Sequence, residues 1–134
     1  VVRSHDIERT VTHAFQDAGW FSRRAASSGG GSDHPSYDVI AGKNATVYVM
    51  EVKYRDPDEH IYIEEQEVAD LEWVGRQLGA YAAIVVRWKQ DTTLYGYFPE
   101  QLYQTQAGTF RVSDSETEYA AFTVPPDEPP EPKV

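Results

Sequence analysis

The stretch Asp38-Val39-Ile40-Ala41-Gly42-Lys43-Asn44-Ala45-Thr46-Val47-Tyr48-Val49-Met50-Glu51-Val52-Lys53 decides how this chain folds. Two β-branched runs, Val39-Ile40 and Thr46 to Lys53, flank a turn at Gly42-Lys43-Asn44, and the second run reads as a strand. Side chains alternate along a strand, so Val47, Val49, Glu51 and Lys53 share one face and Tyr48, Met50 and Val52 share the other. If the turn folds the first run back on the second, Asp38 comes close to Glu51. Two carboxylates beside an ammonium suit a hard divalent cation and an activated water. Glu-x-Lys at a strand end is also a common solvated salt bridge, so its meaning depends on the residues around it.

Upstream, Ser4 or Asp6 can cap a helix over about residues 6–18, with Ile7, Val11, Ala14, Phe15 and Ala18 as its apolar stripe and Gly19 as its stop. Glu8 lies beside that stripe, where an acid can simply answer the helix dipole. Trp20 to Arg24 reads as a short strand. Residues 25–36 are small and polar, either a linker or a loop that lets a phosphate chain approach closely, with Arg23 and Arg24 at its entrance. Downstream, Ile61-Tyr62-Ile63 is extended. A helix follows over about 64–78, with Val68, Leu71, Val74 and Leu78 on its buried face and Gln66 in its first turn. Residues 82–88 form an apolar central strand, 94–98 another strand, 99–103 a helical turn and 109–112 a last short strand. The expected organisation is one domain over 1–120 and an acidic, proline-rich tail over 121–134.

The 134 residues suffice for a real core. No cysteine means no disulfide framework and no thiolate metal site. His5, His13, His34 and His60 show no zinc spacing. No apolar run approaches the ~20 residues that span a bilayer, and no signal peptide opens the chain, so the expectation is a cytoplasmic protein with no membrane partner. The net charge of −10 argues against nucleic acid until the chain is divided. Residues 1–55 carry +1 and residues 56–134 carry −11. Such an acidic surface with few lysines is also the mark of a salt-adapted, halophilic protein.

The ordered set Glu8, Gly19-Trp20, Arg24-Ala25-Ala26-Ser27-Ser28-Gly29, Tyr37-Asp38-Val39-Ile40-Ala41, Met50-Glu51-Val52-Lys53 and Gln66 resembles the archaeal Holliday-junction resolvases, within the PD-(D/E)xK nuclease superfamily. The likeness covers about residues 6–98. It departs from the family pattern at Ala26 and Tyr37, which stand where the family has prolines. The resemblance implies an α/β fold with a restriction-endonuclease-like core, a central mixed sheet flanked by helices. It implies a homodimer that cuts four-way junction DNA with Mg²⁺, Mn²⁺ being an alternative. The residues it implies as catalytic are Glu8, Ser28, Asp38, Glu51 and Lys53, with Glu8, Asp38, Glu51 and the Val52 carbonyl as metal ligands. DNA contacts would come from Arg23, Arg24, Ser27, Ser28, Gly29, Lys43, Arg55 and Gln66. The charge split extends this to a basic strip on one face, joined by Arg87 and Lys89, with acidic residues 56–72 held away from DNA. Two other readings stay open: a restriction or repair nuclease of the same fold, and a non-catalytic DNA-binding module.

Overall fold

In the computed structural model, residues 4–26 and 34–127 are described, with side chains from Asp6 onward. The chain begins with α1 (Ser4–Asp17), β1 (Phe21–Arg24), β2 (Val39–Lys43), β3 (Thr46–Arg55), β4 (Ile61–Ile63) and α2 (Glu65–Leu78). It continues through β5 (Tyr81–Trp88), β6 (Tyr95–Tyr97), β7 (Tyr103–Gln104), β8 (Phe110–Val112) and β9 (Phe122–Thr123). Short 3-10 turns occupy Pro99–Gln101 and Asp114–Tyr119.

The central hairpin forms as its sequence implies, though one step later than expected. Lys43 pairs with Thr46, and Asn44 and Ala45 alone make the turn at φ 50 and 68. Positive φ at both central residues is the hairpin turn whose twist matches the flanking strands, and asparagine tolerates it well. Gly42 and Lys43 therefore belong to the strand, not the turn.

Six strands form one mixed sheet in the order β1-β2-β3-β5-β6-β9. β3 and β5 run parallel, from Tyr48 opposite Tyr81 to Arg55 opposite Trp88. Parallel neighbours need a long crossover, and α2 supplies it. Both sheet faces are covered, which is why β3 and β5 are almost continuously apolar. On one face Ile7, Val11 and Phe15 of α1 pack with Tyr48, Met50, Val52, Ala83 and Val85. On the other, Val68, Leu71 and Val74 of α2 pack with Val49, Ile84, Val86 and Trp88. Gly79, at φ 63, ends α2, and the Ala80 N–H closes onto the Gly75 carbonyl at 2.8 Å.

A smaller sheet, ordered β4-β8-β7, leans on the α2 side, where Ile61, Ile63 and Val112 join the core. At the far edge of the main sheet, β9 pairs with β6. Phe122 and Thr123 thus belong to the sheet, so the ordered domain runs past residue 120, where the tail was expected to begin. Residues 128–134 of that tail lie outside the described residues. Among the described residues no helix is long and apolar enough to cross a membrane.

β9 is held by a ring. Phe122 lies flat against Gly96 in β6 and contacts Tyr48 and Phe98, with ring centroids 5.0 and 5.8 Å away. A side chain at position 96 would collide with that ring. Gly96→Val, a change that normally favours a strand, should here cost about 1–3 kcal/mol, the usual range for overpacking. In a Phe122→Ala background the same change should be neutral or stabilising. Equal costs in both backgrounds, by denaturant melts of the four proteins, would show that the ring does not constrain Gly96.

Candidate active site

The register Val39↔Met50 sets Asp38 across from Glu51, both on the α2 side of the sheet. Asp38 is locked from three directions. Its N–H donates to the Met50 carbonyl at 2.9 Å, and its carbonyl accepts from the Ala25 N–H at 2.9 Å. Its Oδ2 accepts the Val52 N–H at 2.8 Å. Sequence reasoning assigned Val52 a ligating carbonyl; the structure adds that its N–H orients Asp38.

Glu51 meets the Asp38 carboxylate side to side, in hydrogen-bonding contact. Burial, and after it the Asp38 charge, pushes the Glu51 carboxyl up from 4.5 to about 8, with Lys53 pulling in the opposite direction. Glu51 therefore holds its proton more tightly than a free glutamate, because a second charge is costly in this buried place beside Asp38.

Lys53, on the same face of β3, reaches Glu67 in the first turn of α2, with Nζ 3.3 Å from Oε2. Glu67 was not singled out in the sequence, where Gln66 drew attention instead. The signal was there: Glu67 precedes Leu71 and Val74 at helical spacing, so it borders the buried stripe; Leu78, expected on that stripe, is instead 51% exposed at the end of the helix. Gln66 is exposed and donates to Asp70 at 2.7 Å.

Glu8 does not join the pair. Among the described residues no three His, Cys, Asp or Glu side chains gather closely enough to hold a metal ion. The reason is strand alternation: α1 covers the Met50 and Val52 face, whereas Glu51 and Lys53 point to the α2 face. Glu8 instead lies 3.6 Å from Nε of Arg24. The acids that fit a hard cation here are Asp38 and Glu51. Mg²⁺ bound by one or two carboxylates and otherwise by water and substrate oxygens matches such a donor set.

The single basic strip is also corrected. Alternation sends Arg24, paired opposite Val39, to the α1 side. Lys43 goes there too, donating to the Ala18 carbonyl at 3.2 Å. Arg23, opposite Ile40, and Arg55, two residues beyond Lys53, take the other side. Arg23 stacks on exposed Phe21 at 5.0 Å, and Arg55 donates to the Tyr54 carbonyl at 2.8 Å. Arg87 lies over Tyr54 at 5.7 Å. Lys89 is 3.7 Å from Asp56. Ser27, Ser28 and Gly29 lie outside the described residues.

Residues 2–123 match the family described as archaeal Holliday junction resolvase (hjc). The chain is 26% identical over 115 residues to a Sulfurisphaera tokodaii protein named crossover junction endodeoxyribonuclease Hjc, covering 86% of this chain and 78% of that one. It is 29% identical over 109 residues to the Archaeoglobus fulgidus protein of the same name, covering 81% and 77%. A solved structure of Archaeoglobus fulgidus Hjc, titled a Holliday junction resolvase from an archaeal hyperthermophile, superposes with a TM-score of 0.73. At 24% identity it covers 84% of this chain and 92% of its own, a likeness of fold.

The raised Glu51 carboxyl makes stability depend on pH. Between the ordinary value of 4.5 and about 8, the folded state holds a proton that the unfolded chain has released. The stabilisation linked to this group is therefore complete below the lower value and is lost as pH rises through the upper one. Glu51→Gln should remove that decline and stabilise the protein at alkaline pH by roughly 1–3 kcal/mol, a tenfold change in proton affinity being worth ~1.4 kcal/mol. Parallel pH–melting curves of the two proteins would disprove the strained pair.

Proposed function

The chain belongs to the archaeal Holliday junction resolvase family, and from that premise we infer that it is a structure-selective endonuclease resolving four-way DNA junctions by metal-assisted phosphodiester hydrolysis. The observation that carries the catalytic reading is the Asp38–Glu51 carboxylate pair, pressed together beside Lys53 at a cost to folding. A non-catalytic binding module has no physical need for that pair. Relatives named crossover junction endodeoxyribonuclease support the same reaction class.

Asp38, oriented by the Val52 N–H, and Glu51 would hold a hard divalent cation, Mg²⁺ or in its place Mn²⁺. The Val52 carbonyl stays a proposed further ligand. Bound there, the cation would supply charge neutralisation at the phosphate and a lowered pKa for an attacking water. Asp38 and Glu51 fix where the scissile phosphate sits. Lys53 places a positive charge on the same face, toward the oxygens on which negative charge develops. Glu67 restrains the Lys53 ammonium, which otherwise swings on four rotatable bonds. Glu8 has its role through Arg24, holding the entrance to the 25–36 segment rather than the cation. Ser28, with Ser27 and Gly29 beside it, is proposed to contact phosphate within that segment. Lys43, Arg55 and Gln66 remain proposed DNA contacts at its flanks. A homodimer would present two such sites to the two opposed strands of a nearly two-fold-symmetric junction.

Incubation with a labelled four-way junction and a linear duplex of the same sequence, with and without Mg²⁺, tests the reading. Cleavage should require both the junction and the cation. Glu51→Gln should lower the rate by about 100-fold or more, the scale of losing a key charge-stabilising group, while junction binding persists. Wild-type rates in the variant would sink the metal-assisted reading.

The two arginines should separate. Arg23→Ala, which removes a cation on an exposed ring, should weaken junction binding and make its salt dependence shallower by about one unit of slope, as expected for one phosphate contact. Arg24→Ala should chiefly lower the melting temperature, because it removes a partly buried ion pair with Glu8. The reverse pattern would mean that Arg24 faces the DNA.

A further inference from the structure

We propose that the outer face of the small β4-β8-β7 sheet is a stacking platform for unpaired nucleobases of the DNA substrate, an inference that rests on the nuclease reading. The platform is a row. Tyr62 of β4 pairs with Arg111 of β8, and Arg111 pairs with Tyr103 of β7. Ile61, Ile63 and Val112 point into the core, so alternation turns Tyr62, Arg111 and Tyr103 outward together. Tyr62 is 51% exposed and Tyr103 54%. The Arg111 guanidinium lies 4.7 Å above the Tyr103 ring. His60 sets its ring edge-on to Tyr62 at 6.2 Å and lengthens the aromatic surface.

Charge chooses the occupant. Residues 56–134 carry −11, yet among the described residues no carboxylate pairs with Arg111. Its Nε is buried without a hydrogen-bond partner, so the guanidinium is held as a flat plate beside a ring rather than spent on an acid. Aromatic faces and a stacked arginine together match a ligand that is flat and anionic, as a nucleotide is. A phosphate alone would need the cation but not the tyrosines. Bases within a duplex keep their faces stacked on each other, so the ligand is a base freed from pairing, as at a branch point.

Position agrees. Gly108, in the turn between β7 and β8, packs directly against the Glu65 carboxylate. Glu65 and Glu67 share the first turn of α2, and Glu67 holds Lys53. The small sheet that carries the platform thus touches the first turn of α2, the turn that holds Lys53, on the same side of the main sheet.

Binding of a fluorescent oligothymidylate and of a fully paired linear duplex, both in chelator so that no strand is cut, tests the proposal. Tyr62→Ala/Tyr103→Ala should weaken oligothymidylate binding by about tenfold or more, the scale of losing base–aromatic stacking, and duplex binding less than about twofold. Tyr62→Phe/Tyr103→Phe should bind as wild type, since stacking needs rings and not hydroxyls. Arg111→Gln should lose binding with both tyrosines in place, and it serves alone if the double alanine variant does not fold. Unchanged oligothymidylate affinity in Arg111→Gln, equal losses on both DNAs, or variants that sediment as a smaller species would overturn the platform. Junction cleavage by Glu51→Gln is the separate control. If the wild-type protein with Mg²⁺ leaves the junction uncut, as that variant should, the nuclease reading fails, while the oligothymidylate result stands by itself.

Discussion

Two carboxylates held against each other across the β2–β3 hairpin are the constraint on which this structure turns. The two-residue turn at Asn44-Ala45 sets the register, and the register sets Asp38 opposite Glu51. Shifting it by one residue would send Glu51 into the α1 core and Met50 to the site. Burying Glu51 beside Asp38 costs free energy, first by desolvation and then by the Asp38 charge, so the surrounding structure has to supply the opposing free energy. It does so by burying β3 on both faces and packing Phe15, Trp20, Tyr81 and Phe122 around Tyr48. A reactive centre that costs stability is carried on the strand whose packing contributes most.

The same sheet divides the protein's charges. Alternation delivers Asp38, Glu51 and Lys53 to the α2 side and Glu8 with Arg24 to the α1 side. What looks in one dimension like a cluster of acids around a lysine becomes a carboxylate pair on one face and an ion pair on the other. The cations of the first half divide likewise, so positive charge lies on both sides of the sheet rather than along one strip. Arg23, Lys43 and Arg55 are tied to backbone carbonyls instead of acids, so their charge is not cancelled locally. A chain of net charge −10 thus keeps local positive charge on its first half.

The sequence by itself determined the periodic elements. The stripe of Ile7, Val11 and Phe15, the run from Thr46 to Lys53, the stripe of Val68, Leu71 and Val74 and the apolar segment before Trp88 each carry their own period, and each became the expected helix or strand. The proximity of Asp38 and Glu51 was equally legible, because a two-residue hairpin is a local device. Only the tertiary structure decided which helix covers which face. That choice separated Glu8 from the acid pair, brought Glu67 to Lys53, drew Phe122 and Thr123 into the main sheet and aligned Tyr62, Arg111 and Tyr103 into one row. Those residues lie far apart in the chain or in segments of two or three residues, too short to show a period. Their neighbours are chosen by burial of the whole core, and no local pattern records that choice.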